Sequence, residues 1–425
     1  MTRKILRDGI ALTCITTDRF KTNMLTAFLI RPLSEGEATQ NALLPRVLRR
    51  GNKKHPTLTA MSNRLADLFG AGLHGDVRKR GEFHCFGLTA DFIGGENLGD
   101  VSEMLFDTLL NPVFSDDYIL SERENHISQI RALKNNKATY ASSRHNALAF
   151  AGEPYAVTRL GSEDAAVVIT PEKLRRYYQE TLDSSAIELF YCGPADPERV
   201  AELVCNAGAR IARSQTRCGM ETAPYVEPVF NPRPQNPDNI FPVNENFRHF
   251  LEFSDMSQAQ LSILWRTDIT SENPDYFPAA IACAIYGGST ASKLFTHVRE
   301  RLSLCYTTHS DFNRYKGFMK AQSGVEPAML DRAMDEMLAQ WNDVVSGRFS
   351  DEEFSSAISL IVNELKSISD SPAALESFWQ GQAVYGLCDT PDNWIEMIRS
   401  VRKEDIIRVA SSFKLDSTYY LRAEL

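Results

Sequence analysis

The sequence predicts an α+β fold of two duplicated domains, each a β-sheet covered by helices on one face, which together form a clamshell. The chain has 425 residues, more than one ordinary hydrophobic core holds. Landmarks of the first half recur in the second half in the same order, and a proline-rich stretch lies between the halves. We therefore predict an N-terminal domain over residues 1–220, a linker over 221–244 and a C-terminal domain over 245–425.

The internal repeat consists of five short matches. The members of each pair lie 232 to 236 residues apart: Arg50-Gly51 with Tyr286-Gly287, Gly81 with Gly317, Phe114–Asp117 with Phe349–Glu352, Thr170–Glu172 with Arg402–Glu404, and Leu182–Ser184 with Leu415–Ser417. This period is far too long for a solenoid and is typical of a duplicated domain. Prolines at positions 224, 228, 232, 234, 237 and 242 indicate an extended connector between the copies.

Local signals predict the elements of each half. Strands are predicted from β-rich runs, which read IALTCITT, FHCFGLTADF and AIELFYCG in the first half and STYYLRAEL in the second. Ser115 is predicted to cap one helix, and Thr170 followed by Pro171 to start another, because hydroxyl caps and a first-turn proline favour helix starts. Ser350 and Glu353 form an S-x-x-E capping box that opens a helix in the second half.

Composition excludes several classes of protein. The net charge of −9 argues against a general nucleic-acid binder, and the basic run Arg78–Arg80 is interpreted as a solvated hairpin tip. The 8 cysteines show no C-x-x-C spacing, which favours free thiols in a reducing compartment. We find no signal peptide and no apolar run long enough to span a membrane. The expected location is cytoplasmic, without nucleic-acid or membrane binding.

The string GGSTASKLFTHVRERLSLCY, from Gly287 to Tyr306, resembles the second-half signature of the insulinase-like metallopeptidases. These inverzincins include the pitrilysin and mitochondrial processing peptidase types. The segments LLNPVFSDD and TPEKLRRYY also resemble the first domain of that family. The resemblance extends over nearly the whole chain and implies a two-domain subunit with the same internal duplication.

Active members of the family carry H-x-x-E-H on a first-domain helix, with two histidines as zinc ligands and the glutamate as general base. No H-x-x-E-H occurs in this chain, and alignment on Arg50-Gly51 puts Ala42, Pro45 and Arg46 at the three positions. Gln129 aligns with the family's distal ligand glutamate. The resemblance therefore implies that this chain has a degenerate zinc site and binds no metal, with zinc expected in a partner subunit.

Two other pairs of residues have side chains of the kind that bind zinc. Glu122 and His126 are four residues apart, and His297 and Glu300 form a truncated HxxE. Neither pair has a third ligand nearby in sequence, so we interpret both as surface helix pairs. The turn Gly287-Gly288 is interpreted as a glycine turn leading into a helix over residues 292–301, not as a phosphate-binding loop.

Arg299 and Tyr306 match the family's arginine–tyrosine pair in spacing and flanking sequence. In the family these side chains hold the substrate backbone, and both can donate to a peptide carbonyl as it becomes an oxyanion. The resemblance therefore implies substrate binding by Arg299 and Tyr306. The alternative is an ion pair of Arg299 on a helix surface and a core-strand position for Tyr306.

These residues imply a zinc-less, non-catalytic subunit of a heterodimeric insulinase-like peptidase, inactive by itself. It would help to bind and orient an extended peptide for cleavage by a zinc-bearing paralogous partner. The alternative is a structural or peptide-binding homologue, as a homodimer, with no part in proteolysis. Neither the physiological peptide nor the oligomeric state follows from the sequence.

Overall fold

The computed structural model describes residues 1–208 and 247–424. The predicted linker over 221–244 lies outside the described residues, so the domain boundaries drawn at it stay a prediction. The described residues form two compact units. The first unit contains Met1–Arg131, 157–208 and Ser369–Cys388, and the second contains Ala132–Ala156, 247–368 and 389–424. Each unit thus includes one segment from the opposite half of the sequence.

The strands form one sheet in each unit. In chain order they are β1 (Thr2–Arg7), β2 (Ile10–Thr16), β3 (Thr22–Pro32), β4 (Gly72–Arg80), β5 (Phe83–Ile93), β6 (Ala186–Gly193), β7 (Arg248–Phe253), β8 (Ala259–Arg266), β9 (Cys305–Asn313), β10 (Phe318–Val325) and β11 (Lys414–Arg422). The first sheet has the order β1-β2-β6-β3-β5-β4 and the second has the order β7-β11-β8-β10-β9.

The two sheets repeat the same topology. In the first sheet β2 and β6 are parallel, and the following pairs β6–β3, β3–β5 and β5–β4 are antiparallel. In the second sheet β7 and β11 are parallel, and β11–β8, β8–β10 and β10–β9 are antiparallel. This shared order confirms the predicted duplication, with β1 as an additional strand of the first copy.

Helices lie between the strands in the chain order of both units. They are α1 (Glu35–Leu48), α2 (Leu58–Asp67), α3 (Leu98–Leu110), α4 (Asp116–Leu133), α5 (Lys137–Ala149), α6 (Glu163–Val167), α7 (Pro171–Ser184), α8 (Pro197–Ala207), α9 (Tyr276–Gly287), α10 (Leu330–Val345), α11 (Asp351–Ser367), α12 (Pro372–Val384), α13 (Pro391–Ser400) and α14 (Lys403–Ala410). A π-helix spans Leu294–Arg301. Throughout the described ranges, every helix is too short or too polar to cross a lipid bilayer.

The predicted helix starts are confirmed by their hydrogen bonds. Ser350 Oγ accepts from the Glu353 amide at 3.0 Å, and the Glu353 carboxylate accepts from the Ser350 amide at 2.7 Å. Thr170 Oγ1 accepts from the Lys173 amide at 3.3 Å. Ser115 Oγ accepts from the amide of Tyr118 at 3.3 Å. These side chains satisfy amide groups that have no partner within the helix.

Helices cover one face of the first sheet. Leu25, Ala27 and Leu29 of β3 point to this face and join one apolar cluster with Leu43 of α1 and Leu105 of α3. Alternate residues of a strand point to opposite faces of its sheet. The β3 residues that alternate with these three therefore point to the other face of the sheet, where different elements must cover them. The main core of the first unit therefore lies between the sheet and these helices.

A single helix covers the other face of the first sheet. Phe28 and Ile30 of β3, together with Cys85 of β5, pack against Val384 of α12. This helix comes from the second half of the sequence but belongs to the first unit. The structure thus adds one helix to the cover that the sequence predicted on one face only.

The second unit has the equivalent arrangement with α5, which comes from the first half of the sequence. Ala141 of α5 packs with Tyr419 and Leu421 of β11. Phe150, directly after α5, packs with Leu264 of β8 and Phe318 of β10. Each sheet is therefore stabilised by a helix from the half of the chain that does not supply its strands.

The interpretation of Arg78–Arg80 as a solvated hairpin tip is wrong. The turn lies at Gly81, whose φ of 58° is in the left-handed region that glycine tolerates. Arg78 pairs with Glu376 of α12, and Arg80 donates to the Ser377 hydroxyl at 2.6 Å. Arg78 and Arg80 therefore bind α12 to the first sheet.

Acid is expected to destabilise the protein through buried histidines, among them His84 and His145. Burial lowers the pKa of His84 to about 4 and lowers the pKa of His145 well below 6.5. Both are neutral in the folded state and take up a proton more readily when unfolded, so the stability they confer is complete above about pH 6.5 and is lost as the pH falls toward 4. His84 alone is expected to lower the free energy of unfolding by about 2–3 kcal/mol at pH 4.5.

The check is urea unfolding at pH 7 and at pH 4.5. His84→Gln is expected to reduce the difference in unfolding free energy between the two pH values. His74→Gln is the control, because the His74 side chain is 60% exposed. An unchanged pH dependence in His84→Gln would show that His84 is not the titrating group.

Candidate functional site

A cavity of about 390 Å³ lies in the first unit, between α1, α4 and the edge strand β4. We call it the arginine pocket. It is lined by Ala42, Pro45, Arg46, Arg49, Arg50, Leu58, Gly75, Asp76, Val77, Glu122, Gln129, Arg159 and Leu160. All four residues predicted as degenerate zinc positions, Ala42, Pro45, Arg46 and Gln129, therefore line one pocket.

Helical spacing explains why the four positions meet. Ala42, Pro45 and Arg46 lie on one face of α1, because residues three and four apart are neighbours on a helix surface. The guanidinium of Arg46 donates a hydrogen bond to the side-chain oxygen of Gln129 on α4. Gly75 of β4 lies against α1, since a Cβ there would be 2.5 Å from the Pro45 carbonyl oxygen.

Glu122 and His126 of α4 are buried, so their interpretation as a surface helix pair is wrong. Glu122 is 8% exposed and accepts a hydrogen bond from Arg50 Nε at 2.6 Å, while Arg46 Nη1 lies 3.9 Å from it. His126 is fully buried, and its Nε2 lies 2.9 Å from the Leu160 carbonyl oxygen. Burial lowers the pKa of His126, which keeps the imidazole neutral.

The donor set of the arginine pocket does not fit zinc. Ala42 has no ligand atom, Pro45 has no side-chain base, and Arg46 brings a permanent cation to a predicted ligand position. Within residues 1–208 and 247–424, no group of three or more His, Cys, Asp or Glu side chains is placed to hold a metal ion. The pocket is therefore cationic where a metallopeptidase needs nitrogen and carboxylate ligands.

Arg299 and Tyr306 lie in the second unit, on the π-helix and at the start of β9. The Arg299 guanidinium stacks on the Phe295 ring at 4.6 Å, and its Nε lies 3.7 Å from the Glu300 carboxylate. This contact matches the alternative of a helix-surface ion pair. Between the two elements, Ser303 has a φ of 52°, which is strained for a residue with a side chain.

Tyr306 is 57% exposed on an edge strand, so the alternative of a core-strand position is wrong. Its hydroxyl donates to Glu326 Oε1 at 2.8 Å. The hydrogen bond to Glu326 and the charge of that carboxylate raise the pKa of Tyr306. The phenol therefore stays protonated, with its one O–H donated to Glu326, beside an open cavity that Gln258 and Arg422 also line.

Sequence reasoning did not find three arginines of the arginine pocket. Arg49 and Arg50 follow Arg46 by three and four residues in the run RVLRR, directly after the end of α1, so this spacing was a usable signal. Arg159 comes from the segment between α5 and α6, where no periodic pattern marks it. Glu326 was also missed, because its contact with Tyr306 joins positions that only the β9–β10 pairing brings close.

The chain is similar in sequence to known proteins. A family model described as "Peptidase M16 inactive domain" matches residues 169–361. The "Probable inactive metalloprotease YmfF" of Bacillus subtilis is 26% identical over 426 residues, covering 97% of this chain and 96% of that protein.

Two solved structures have the same fold. A conserved protein from Enterococcus faecalis V583 superposes with a TM-score of 0.87 at 22% identity, covering 100% of this chain and 98% of that one. A peptidase M16 inactive domain from Pseudomonas fluorescens superposes with a TM-score of 0.76 at 14% identity, covering 98% and 97%.

Sequence similarity and fold agree with the residues of the arginine pocket. The duplicated α+β units have the fold of the similar structures, and Ala42, Pro45 and Arg46, which are predicted to occupy the H-x-x-E-H positions, have none of that motif's side chains. The chain is similar to the insulinase-like, or M16, metallopeptidases, with the inactive-domain model matching residues 169–361, and H-x-x-E-H occurs nowhere in its sequence.

Proposed function

We propose that this chain is the zinc-less, non-catalytic subunit of a heterodimeric insulinase-like peptidase. It helps to bind and orient an extended peptide for cleavage by a zinc-bearing paralogous partner. The observation that carries the proposal is an asymmetry. The zinc positions of the first unit hold a cation at Arg46, while Arg299 and Tyr306 of the second unit keep their family spacing and remain exposed.

The chemistry of the two exposed side chains supports substrate contact. A guanidinium and a phenol both donate hydrogen bonds to a peptide carbonyl, and these bonds strengthen as the oxygen becomes negative during attack. The π-helix and the strained backbone at Ser303 support the same role, because both features are found preferentially at functional sites. In the proposed heterodimer the partner supplies the zinc ion and the general base.

Assembly with the partner is tested by co-purifying the chain with a zinc-bearing paralogue and measuring cleavage of unfolded peptides. Arg299→Ala and Tyr306→Phe are each expected to lower kcat by about 10²-fold, as the loss of one oxyanion donor does. Arg301→Ala is the matched control, because Arg301 is an exposed arginine on the same π-helix. Full activity in both variants, with the heterodimer intact, would remove the assisting role.

A structural or peptide-binding homologue is the second candidate. The observation that favours it is that both side chains already have partners, Arg299 in Glu300 and Tyr306 in Glu326. This candidate requires a stable homodimer that neither binds a zinc-bearing paralogue nor accelerates cleavage. Co-purification and light scattering of the same preparation separate the two candidates.

The cytoplasm is the location we propose for the complex. Cys14, Cys85 and Cys283 are buried thiols, and burial raises the pKa of each to about 12. Thiols in this state are compatible with a reducing compartment. Fractionation of cells that express the tagged chain is the direct check.

A further inference from the structure

The arginine pocket carries more positive charge than its own acids balance. Arg46, Arg49, Arg50 and Arg159 line it, against the two carboxylates of Asp76 and Glu122. If all six groups are ionised, the lining has a net charge of about +2. A cavity with this excess attracts anions, because its low-dielectric walls focus the field of the guanidinium groups.

Both carboxylates of the pocket are already engaged. Glu122 accepts from Arg50 at 2.6 Å, and Arg46 lies 3.9 Å from it. Asp76 accepts from Arg78 Nε at 2.6 Å and from the amide of Val77 at 2.8 Å. Glu122 therefore accounts for the ion pairing of both Arg46 and Arg50, and Asp76 is engaged by Arg78. The other two arginines of the pocket, Arg49 and Arg159, have no share in these ion pairs.

Arg49 and Arg159 form no ion pair with any carboxylate in the described part of the chain. Arg159 donates to a backbone oxygen, that of Val77, at 3.3 Å. If these arginines served only to stabilise the fold through ion pairs, the pocket would need no more guanidinium groups than its carboxylates can pair with. Two additional guanidinium groups at the same cavity indicate a ligand that brings negative charge with it.

The shape of the pocket favours a carboxylate attached to an organic group over a bare inorganic ion. Its volume of about 390 Å³ is in the range of small-ligand sites. Apolar side chains, including Ala42, Leu58 and Leu160, form part of the wall. The edge strand β4 borders the cavity, and an edge strand has backbone groups that can pair with an extended peptide.

We infer that the arginine pocket binds a carboxylate group of a peptide, supplied by an acidic side chain or by the C-terminus. The guanidinium groups of Arg49 and Arg159 are the principal ligands, because they have no carboxylate partner among the described residues. The planar guanidinium presents paired N–H donors that match the two oxygens of a carboxylate. This site lies in the first unit and does not depend on Arg299, Tyr306 or a partner subunit.

The test is calorimetric titration of the purified chain alone with three short alanine peptides, blocked at the N-terminus. The first has a central glutamate and an amidated C-terminus, the second a central glutamine and a free C-terminus, and the third a central glutamine and an amidated C-terminus. We expect the first or the second to bind, which identifies the source of the carboxylate, and the third not to bind. Binding is expected to weaken at high salt.

Arg49→Gln combined with Arg159→Gln is the informative variant, because it leaves Glu122 with both of its arginine partners. It is expected to weaken binding of the carboxylate peptide by at least about tenfold. Arg176→Gln combined with Arg199→Gln is the control with the same change of charge, since these side chains are 77% exposed on α7 and 59% exposed on α8. Thermal melting of each variant establishes that it is folded.

Equal binding of the amidated glutamine peptide, or unchanged affinity in the folded double variant, would overturn the inference. Binding of inorganic phosphate with no binding of any peptide would also overturn it. Because no cleavage is measured, loss of the proposed assistance by Arg299 and Tyr306 leaves this result intact, and the reverse also holds.

Discussion

Replacing Ala42 and Arg46 by histidine, and Pro45 and Gln129 by glutamate, is expected to give the chain a zinc site. The changes restore H-x-x-E-H on α1 and a carboxylate on α4. Zinc affinity is expected to rise from no measurable binding to a dissociation constant below about 1 μM, since three protein ligands plus water form a catalytic type of zinc site. This is the largest change in a binding property that we expect from any substitution in the chain.

Two features of the structure support this outcome. Positions 42 and 46 are four residues apart on α1, so two histidines there point to the same side. Arg46 already hydrogen-bonds Gln129, which brings the α4 position within reach of α1. Removing Pro45 also restores an amide donor inside the helix, where proline costs about 3 kcal/mol relative to alanine.

Metal content after dialysis against zinc, measured by mass spectrometry, checks the prediction. One zinc ion per chain is expected for the fourfold variant. The control retains Arg46 and carries the other three substitutions, because the guanidinium then stays beside the site and repels the metal. A folded fourfold variant that binds no more zinc than its control would show that these positions do not converge on one ion.

Much of the fold could be predicted from local sequence. The strands AIELFYCG and FHCFGLTADF appear as β6 and β5, and the hydroxyl caps at Ser115, Thr170 and Ser350 start the predicted helices. These features depend on residues close together in the chain, where periodicity and capping chemistry are direct signals. The convergence of Ala42, Pro45, Arg46 and Gln129 followed from the family alignment, not from any local pattern.

The exchanged helices could not be predicted in the same way. Arg78 and Glu376 are 298 residues apart, and nothing in their neighbourhoods marks them as partners. A signal of cover on both faces was nevertheless present in β6, which is apolar almost throughout and buried at every position. A continuous apolar strand is typical of a sheet covered on both sides. The burial of His126 is likewise a tertiary effect that its polar neighbours in α4 conceal.

The ion pair between Arg78 and Glu376 is the second place where a large effect is expected. Glu376 of α12 is 2% exposed, and its carboxylate is paired with Arg78 of β4 and accepts from Gln380 at 3.2 Å. Arg78→Met is expected to lower the free energy of unfolding by about 3–5 kcal/mol, because it leaves a buried charge without its cation. Methionine keeps the packing of an unbranched chain against Phe28, which the Arg78 guanidinium now covers at 4.6 Å.

The double variant Arg78→Met with Glu376→Met separates charge from packing. It removes the buried carboxylate together with its partner, so it is expected to recover most of the lost stability. Arg176→Met is the control for removing an exposed arginine, and no measurable change is expected there. Urea unfolding of the four chains gives the comparison, and a double variant as unstable as Arg78→Met would show that the loss came from packing.

The pH dependence of the Arg78→Met variant provides an independent check of the same buried charge. Burial raises the pKa of Glu376, and Arg78 opposes this rise in the native chain. Without Arg78 the folded-state pKa lies further above the unfolded value, so stability is retained at low pH and lost as the pH rises through the folded pKa. The deficit of Arg78→Met relative to the native chain is therefore expected to be smaller at pH 5 than at pH 8. A deficit that is the same at both pH values would mean that the buried charge of Glu376 is not its cause, and that the loss comes from the packing of Arg78.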